Sequence, residues 1–306
     1  MARCLGGVYM PEKISFFDAA DANKRNSLIL MAVMFLIFLG AIFAISYIFD
    51  IGLCGPIMGF FGLLFYAVIV FYQGDKIVLA MGGAKEARKE DYPFLHNTVE
   101  GLALASQIPM PKLYVVQDDS PNAFATGRDP QHASVAVTTG LLKLMKREEL
   151  EGVIAHEISH VANYDIRFSM LAVVFIGAIS LLGNFAWRTM GIGFGGGRSR
   201  RGGGAGIFVL IALVFVILAP IFAQMVRFAI SRQREYLADA NGARLTRYPE
   251  GLASALEKIG SYNVPTTSAN DVTASLYISN PFPHKIGFLG STHPKIEDRI
   301  KRLRSM

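Results

Sequence analysis

The chain of 306 residues has little charge, and the shortage is local. Only 18% of the residues are Asp, Glu, Lys or Arg, against about 25% in a typical soluble domain. Four stretches of 20 to 25 residues have no charged residue at all: 26–49, 51–74, 168–187 and 202–226. Because a helix of about 20 residues crosses roughly 30 Å of hydrocarbon, the missing charge predicts four membrane spans and argues against a wholly soluble protein.

Cysteine is also scarce, with only Cys4 and Cys54 in the chain. The predicted spans put these two residues on opposite sides of the membrane, which argues against a disulfide, and neither has the spacing of a metal ligand. The net charge is +6. Since the basic residues lie beside the predicted spans, where anionic headgroups account for them, we expect the lipid bilayer as a partner and no nucleic acid.

The distribution of lysine and arginine predicts the orientation. Residues 1–26 hold four basic residues, 75–167 hold ten and 227–306 hold twelve. The positive-inside rule places these three segments in the cytoplasm. The loop 188–206 carries four arginines yet falls on the other side if all spans cross. Either it is tolerated there or its hairpin enters the membrane without crossing, and the sequence leaves both arrangements open.

A metal-binding pattern lies in the segment 146–166, whose apolar periodicity predicts a helix. His156, Glu157 and His160 form the motif HExxH. Residues four apart lie about 40° apart around a helix, so both imidazoles can reach one ion at about 2.0–2.1 Å. Glu157, rotated by about 100°, can take a proton from water activated by that ion. The alternative is a helix with two hydrogen-bonded structural histidines.

A second acidic pair lies beyond the last uncharged stretch, in "SRQREYLADA". A catalytic zinc takes three protein ligands and keeps one open position. Glu235 is the candidate third ligand, and Asp239, one turn further on, can accept the remaining N–H of a ligating imidazole. Many surface helices carry acidic residues at this spacing, but its pairing with HExxH favours a site for one Zn²⁺ per subunit.

The remaining pattern predicts strands at 112–118 and 132–140, helices over 75–108 and at the C-terminus, and a loop-rich segment 262–292. The predicted organisation has five parts, whose boundaries follow from the uncharged stretches and the motifs. They are a cytoplasmic leader 1–26, a membrane hairpin 27–74 (spans about 27–49 and 55–73), the first half of a zinc-site domain 75–167, a second hairpin 168–226 (spans about 168–187 and 207–226, Gly/Arg-rich loop 188–206), and the second half of the zinc-site domain 227–306.

Five motifs together resemble the HtpX family of membrane zinc metalloproteases, which is related to the CAAX prenyl protease. They are "HEISHVANYD", "SRQREYLADA", "PNAFATG", "VAVTTGLL" and "STHPKIEDRI". The resemblance covers about 27–306. It implies a mainly α membrane protein with four apolar spans and an α+β zincin-type cytoplasmic protease domain, which contains a small β-sheet with an edge strand. The leader and the glycine-rich stretch 191–206 match no family pattern.

The resemblance implies a zinc endopeptidase of the cytoplasmic (inner) membrane, multi-pass, with its N-terminus and protease domain facing the cytoplasm. The implied substrates are misfolded or unassembled membrane proteins and unfolded polypeptides, cleaved in stress-response quality control. It also implies His156, His160 and Glu235 as ligands, Glu157 as the general base and Asp239 as a partner behind the ligands. Oligomerisation is left open.

Two further sets of residues follow from the resemblance. "NAFAT" implies a strand edge at Asn122, Ala123 and Phe124, to which a substrate adds as an antiparallel strand through its backbone; the alternative is an ordinary turn before a strand. A transition-state oxyanion also needs a donor, and His293 and Arg299 are the candidates. His293, next to a proline, has the alternative role of fixing a turn.

Three other functions compete with this prediction. An intramembrane protease would bury HExxH inside a span, but the charged "LMKREELEG" precedes the motif here. A non-catalytic membrane scaffold with a structural zinc would close the site with a fourth ligand, often Cys, and no cysteine is near. A CAAX-type processing protease usually has more spans than four.

Overall fold

The computed structural model describes residues 16–48, 52–175, 177, 232–262, 264–269, 273–279 and 294–306. Residues 1–15, the loop 188–206, most of the third predicted span, all of the fourth and His293 lie outside the described residues. The described part is mainly helical with one small mixed sheet. Besides a helical segment over 165–175, its α-helices are α1 (Phe16–Ile48), α2 (Cys54–Met81), α3 (Pro93–Ala105), α4 (Thr139–Leu144), α5 (Arg147–Ala162), α6 (Arg232–Thr246), α7 (Pro249–Ser261) and α8 (Ile296–Arg304).

Helices α1 and α2 are long and apolar enough to cross a membrane, and they pack side by side. Their apolar side chains are largely uncovered: Leu36 is 65% exposed and Phe65 is 69% exposed. A helix in the core of a soluble protein would bury such residues, whereas lipid accepts them. The first two predicted membrane spans therefore correspond to α1 and α2.

The predicted boundary between a leader and the first span is not a structural boundary. Helix α1 already includes residues 16–26, since it starts at Phe16. No glycine or proline interrupts the helix over these residues. Asn23 and Ser27 are buried near the start of this helix. Residues 16–26 thus belong to the first apolar helix and pack against other parts of the protein.

The single helix predicted over 75–108 is also wrong. Helix α2 ends at Met81, and Gly83 takes a left-handed φ of 63° that favours glycine. Helix α3 begins only at Pro93, a residue that suits the first turn because it lacks an N–H. The intervening segment contributes a two-residue strand, so glycine and proline divide what the apolar periodicity suggested was continuous.

The four strands form one sheet in the order β1-β2-β4-β3. Their bounds are β1 (Lys85–Glu86), β2 (Lys112–Val116), β3 (Ala123–Gly127) and β4 (Ala133–Thr138). Strands β2 and β4 are parallel, whereas β3 runs antiparallel to β4 with Ala123 opposite Val137. Strand β3 is therefore the last strand on one side of the sheet, next to the helix that carries HExxH.

Both faces of the sheet are covered. Val115 and Val135 point into a core shared with α3, α5 and α7. Val116 and Phe124 point the other way, into a cluster shared with the end of α2 and the helical residues 168–175. Because burial on both faces removes polar positions, the strands lack alternation, and the sheet joins the membrane helices to the rest of the domain.

Helix α5 is mostly buried from Glu149 onward. Its start is held by Glu149, whose carboxylate accepts from the Lys146 N–H at 2.7 Å and from Lys258 Nζ at 2.6 Å. The helix ends at Ala162, earlier than predicted, because Tyr164 has a left-handed φ of 60°. A second helical segment, 165–175, starts after this turn. The motif helix and the apolar segment are therefore two helices separated by a sharp turn.

Candidate active site

Helices α5 and α6 bring three candidate metal ligands together. The Nε2 atoms of His156 and His160 are 3.2 Å apart, and carboxylate oxygens of Glu235 lie 3.8 Å and 3.6 Å from them. All three ligand atoms lie within 4.8 Å of one another. Four-coordinate zinc with bonds of about 2.0–2.1 Å requires ligand atoms about 3.3 Å apart. The donor set and its spacing therefore fit a zinc ion.

Close packing of α6 on α5 depends on Gly242. A Cβ at this position would lie 3.1 Å from the backbone nitrogen of His156. Since the neighbouring atoms belong to the backbone of a buried helix, they have little room to give way. Glycine at this position lets the helix that carries Glu235 approach the helix that carries both histidines.

Glu157 points from the same helix toward the sheet. It is 2% exposed and receives a backbone hydrogen bond from Ala125 of β3. Burial raises the pKa of Glu157 to about 7; His160 opposes the shift and Glu235 adds to it. A carboxylate that gains and loses a proton near neutral pH suits a general base, and the Ala125 N–H fixes its orientation.

His156 is held from behind by Asp239. Its Nδ1 lies 2.9 Å from Asp239 Oδ1, which leaves Nε2 for a metal. Burial lowers the pKa of His156, and the charge of Arg299 lowers it further although Asp239 opposes this. Against burial, Arg299 and His156 lower the pKa of Asp239 to about 2. An ionised carboxylate behind a neutral imidazole is the pairing that orients a metal-binding histidine.

His160 has a corresponding partner in Asp165, which reasoning from the sequence missed. Asp165 Oδ2 lies 2.9 Å from His160 Nδ1, again leaving Nε2 for a metal. Although burial favours the neutral ring, Asp165 and the other carboxylates raise the pKa of His160 to about 9. The only sequence signal was an aspartate five residues after His160, a spacing that puts it near the histidine only because the helix breaks at Tyr164.

Strand β3 contains two of the three predicted edge residues, and Asn122 directly precedes it. The carbonyl of Ala123 accepts a hydrogen bond from the Ile278 N–H at 3.0 Å. The Asn122 side chain exchanges hydrogen bonds with the backbone of Ser279 at 3.3 and 3.4 Å. The outward polar groups at this end of β3 are thus engaged by residues of the same chain, from a segment that the sequence indicated only as loop.

The side chain of Phe124 points to the opposite face of the sheet from that of Ala123. Its ring packs edge-on against Tyr277, with ring centroids 5.0 Å apart. Both side chains are fully buried, at 2% and 1% exposed. Phe124 therefore anchors β3 through its side chain. Because backbone groups alternate in direction along a strand, its N–H and carbonyl face Ala136 of β4, and the outward groups belong to Ala123 and Ala125.

Arg299 is completely buried beside the ligands, whereas His293 lies outside the described residues. Arg299 donates to both oxygens of Asp239, at 2.6 and 2.8 Å, and to the carbonyl of Ile278 at 3.1 Å. Its Nη2 is 3.4 Å from each ring nitrogen of His156. Most of its donors are therefore directed at groups that support the ligands.

We expect Arg299→Ala to lower the melting temperature of the purified protein far more than Arg304→Ala. Both arginines belong to α8, but Arg299 pairs with Asp239 in the interior while Arg304 pairs with Glu250 and Glu257 at the surface. Removing one member of a buried pair costs about 3–5 kcal/mol because the other charge stays buried. Thermal unfolding in detergent measures both variants; equal shifts would contradict this account.

Two histidines and a glutamate that two packed helices bring together, with a buried glutamate next to one histidine in the chain, match the donor set of a zinc metallopeptidase. Here that set adjoins helices that suit a membrane. The model of peptidase family M48 matches residues 89–306. The chain belongs to this family, as the resemblance predicted, and is a membrane-bound zinc metalloprotease.

Relatives match over nearly the full length. The Protease HtpX homolog of Dictyoglomus thermophilum is 49% identical over 292 residues, which are 95% of each chain. The Protease HtpX homolog of Streptococcus gordonii is 44% identical over 299 residues, 95% of this chain and 99% of that protein. The crystal structure of S. mikatae Ste24p aligns with a TM-score of 0.49 at 20% identity, covering 94% of this chain and 67% of that one.

Proposed function

We propose that the chain is an endopeptidase of the cytoplasmic membrane that cleaves misfolded or unassembled membrane proteins at the cytoplasmic face. It crosses the membrane four times, with its N-terminus and protease domain in the cytoplasm, and holds one zinc ion per subunit. The observation that carries the proposal is the triad of His156, His160 and Glu235 within 4.8 Å, directly beside helices with exposed apolar surfaces. A site in this place meets chains that are still attached to the membrane.

The proposed third span is supported by the way its first turns pack. Met170 contacts Gly74 of α2, where a Cβ would lie 2.9 Å from the methionine sulfur. The ring of Phe175 lies near Tyr66 and Phe38, with centroids 6.3 and 6.4 Å apart. The segment 165–175 therefore runs along the apolar helices and is directed as a further span would be.

The chemistry is assigned to residues that converge on one point. His156, His160 and Glu235 hold the zinc, which when bound supplies Lewis-acid activation of water. Glu157, oriented by the Ala125 N–H, accepts a proton from the attacking water and later returns it to the leaving amine. Asp239 aligns His156, and the charge of Arg299 adds to burial in keeping that imidazole neutral, so Arg299 acts mainly as a positioning residue.

A substrate is proposed to add as a strand beside β3. Strand addition binds through backbone hydrogen bonds, so it accepts chains that share no side-chain pattern, as unfolded polypeptides do. The carbonyl of Ala123 is the first acceptor that such a strand would use. In the structure this carbonyl already accepts a hydrogen bond from the Ile278 N–H. Substrate binding therefore requires residues 277–279 to leave the edge or the strand to pair with the part of β3 beyond Ala123.

The test is cleavage by the full-length protein reconstituted with zinc in lipid vesicles. One substrate carries an unfolded segment fused to a single membrane span; another is the same segment without the span; the third is a prenylated CAAX peptide. We expect internal cleavage of the unfolded segment, faster when it is tethered. Mass spectrometry of the products identifies the cut bonds.

Each alternative gives a different result. Cleavage of the prenylated peptide alone would replace the proposal with CAAX processing. Absence of any cleavage with one zinc bound per subunit would support a non-catalytic scaffold. Cuts inside the membrane span would indicate an intramembrane protease.

A further inference from the structure

The start of helix α1 packs on the turn that follows the HExxH helix. Asn23 is 5% exposed, and its Nδ2 donates to the carbonyl of Asn163 at 2.9 Å and to Asp165 Oδ1 at 2.7 Å. Next to it, Lys24 places its ammonium 4.5 Å from the centre of the Tyr164 ring. The first apolar helix thus contacts the residues that connect the motif helix to the segment 165–175.

The hydrogen bonds of Asn23 lead directly to the candidate ligands. Asp165 uses one carboxylate oxygen for Asn23 and the other for His160 Nδ1, at 2.9 Å. On its other side, Asn23 Oδ1 lies 3.4 Å from Arg234 Nη1, one residue before Glu235. The amide of Asn23 therefore contacts both chain segments that supply ligands, one after His160 and one before Glu235.

An amide is the group that this position requires. A buried polar side chain is costly unless its donors and acceptors are satisfied, and Asn23 donates to a carboxylate while accepting from a guanidinium. Aspartate has nearly the same shape but cannot donate, and it would place a second carboxylate next to Asp165. Leucine or alanine would remove the hydrogen bond that Asn23 donates to Asp165 Oδ1.

We propose that Asn23 is a positioning residue for the metal site, which makes the fit of the zinc ligands depend on the docking of the first membrane helix. Asn23 orients Asp165 and thereby His160, and through Arg234 it restrains the start of the helix that carries Glu235. This inference rests on the zinc site proposed above. It adds that an apolar helix, far from the HExxH motif in sequence, belongs to the support of that site.

The test is zinc affinity of the full-length protein in detergent, measured by competition with a chromophoric chelator. We expect Asn23→Asp to bind zinc ten- to a hundredfold more weakly, the range found when outer partners of metal ligands are removed. Asn23→Ala, which keeps a good helix former, should lose about tenfold and serves if the aspartate variant does not fold. The matched control is Asn26→Asp, the same change at an exposed position of the same helix.

Two further readouts separate positioning from general stability. The visible spectrum of the Co²⁺-substituted protein should change in the Asn23 variants and stay constant in Asn26→Asp. A lower melting temperature of the metal-free Asn23 variants with unchanged zinc affinity would overturn the proposal, as would wild-type behaviour in every measurement. If the wild type itself binds no zinc, the proposed function is wrong, whatever the Asn23 variants do. Glu235→Gln shows how much affinity is lost when a ligand itself is removed.

Discussion

Glu157→Gln is expected to abolish proteolysis while zinc remains bound. The three candidate ligands are unchanged in this variant, and glutamine can still accept the hydrogen bond from Ala125, but it cannot take a proton. Loss of general base catalysis reduces rates by about 10²–10⁴-fold. Peptide-bond cleavage and zinc content, measured on the same preparation, test both halves of the expectation.

The same substitution should stabilise the metal-free protein at pH 8. The pKa of Glu157 is raised from 4.5 to about 7 by burial, so the wild type loses stability as the pH rises through this window and the carboxyl ionises in the interior. Glutamine removes that penalty. Glu148→Gln, at an exposed position of the same helix, should change neither activity nor stability. Cleavage by Glu157→Gln at the wild-type rate would show that the base is another residue.

Glu235→Gln is expected to produce the largest loss of zinc. Structural zinc sites in peptides bind with about 10–16 kcal/mol, spread over four ligands; losing one charged ligand should therefore weaken binding roughly 100- to 1000-fold. Asp239→Asn should have a smaller effect of about 10- to 100-fold, since it acts through His156. Zinc competition with a chelator measures both.

The matched control for this series is Glu257→Gln. Glu257 lies on the exposed side of α7 and pairs with Arg304, so its neutralisation should leave zinc affinity unchanged. Full zinc occupancy in Glu235→Gln would place the third ligand elsewhere. An equal loss in Glu235→Gln and Asp239→Asn would mean that the two residues have similar roles, contrary to the assignment.

The engagement of β3 by residues 277–279 affects how activity should be interpreted. The Ile278 N–H donates a hydrogen bond to the carbonyl of Ala123, while the Ile278 carbonyl accepts one from Arg299. Residues 277–279 therefore connect the edge of β3 to Arg299, which pairs with Asp239 behind His156. A peptide that displaced them would also remove one hydrogen bond from Arg299.

Local pattern was enough for the features that depend on neighbours in the chain. Uncharged runs predicted α1 and α2, because a lipid-facing helix needs apolar residues on every side. The HExxH spacing predicted that His156 and His160 face one point, since helix geometry alone determines it. The strands β2 and β4 were identified by β-branched residues. The boundaries of helices were predicted less accurately. Gly83 and Pro93 divide a helix that the apolar periodicity alone predicted to be continuous.

Apart from Asp239, which the sequence already indicated, the tertiary structure alone decided which distant groups support those residues. Asn23 and Asp165 are 142 positions apart in the chain, and Arg299 and Asp239 are 60 apart; no local pattern couples such pairs. Ile278 lies in a segment whose composition indicated only loop. The sequence by itself determined the chemistry and the membrane-spanning character, because both follow from residue type at short spacing. The partners that orient the site follow from how helices and sheet pack, which depends on contacts between residues far apart in the chain.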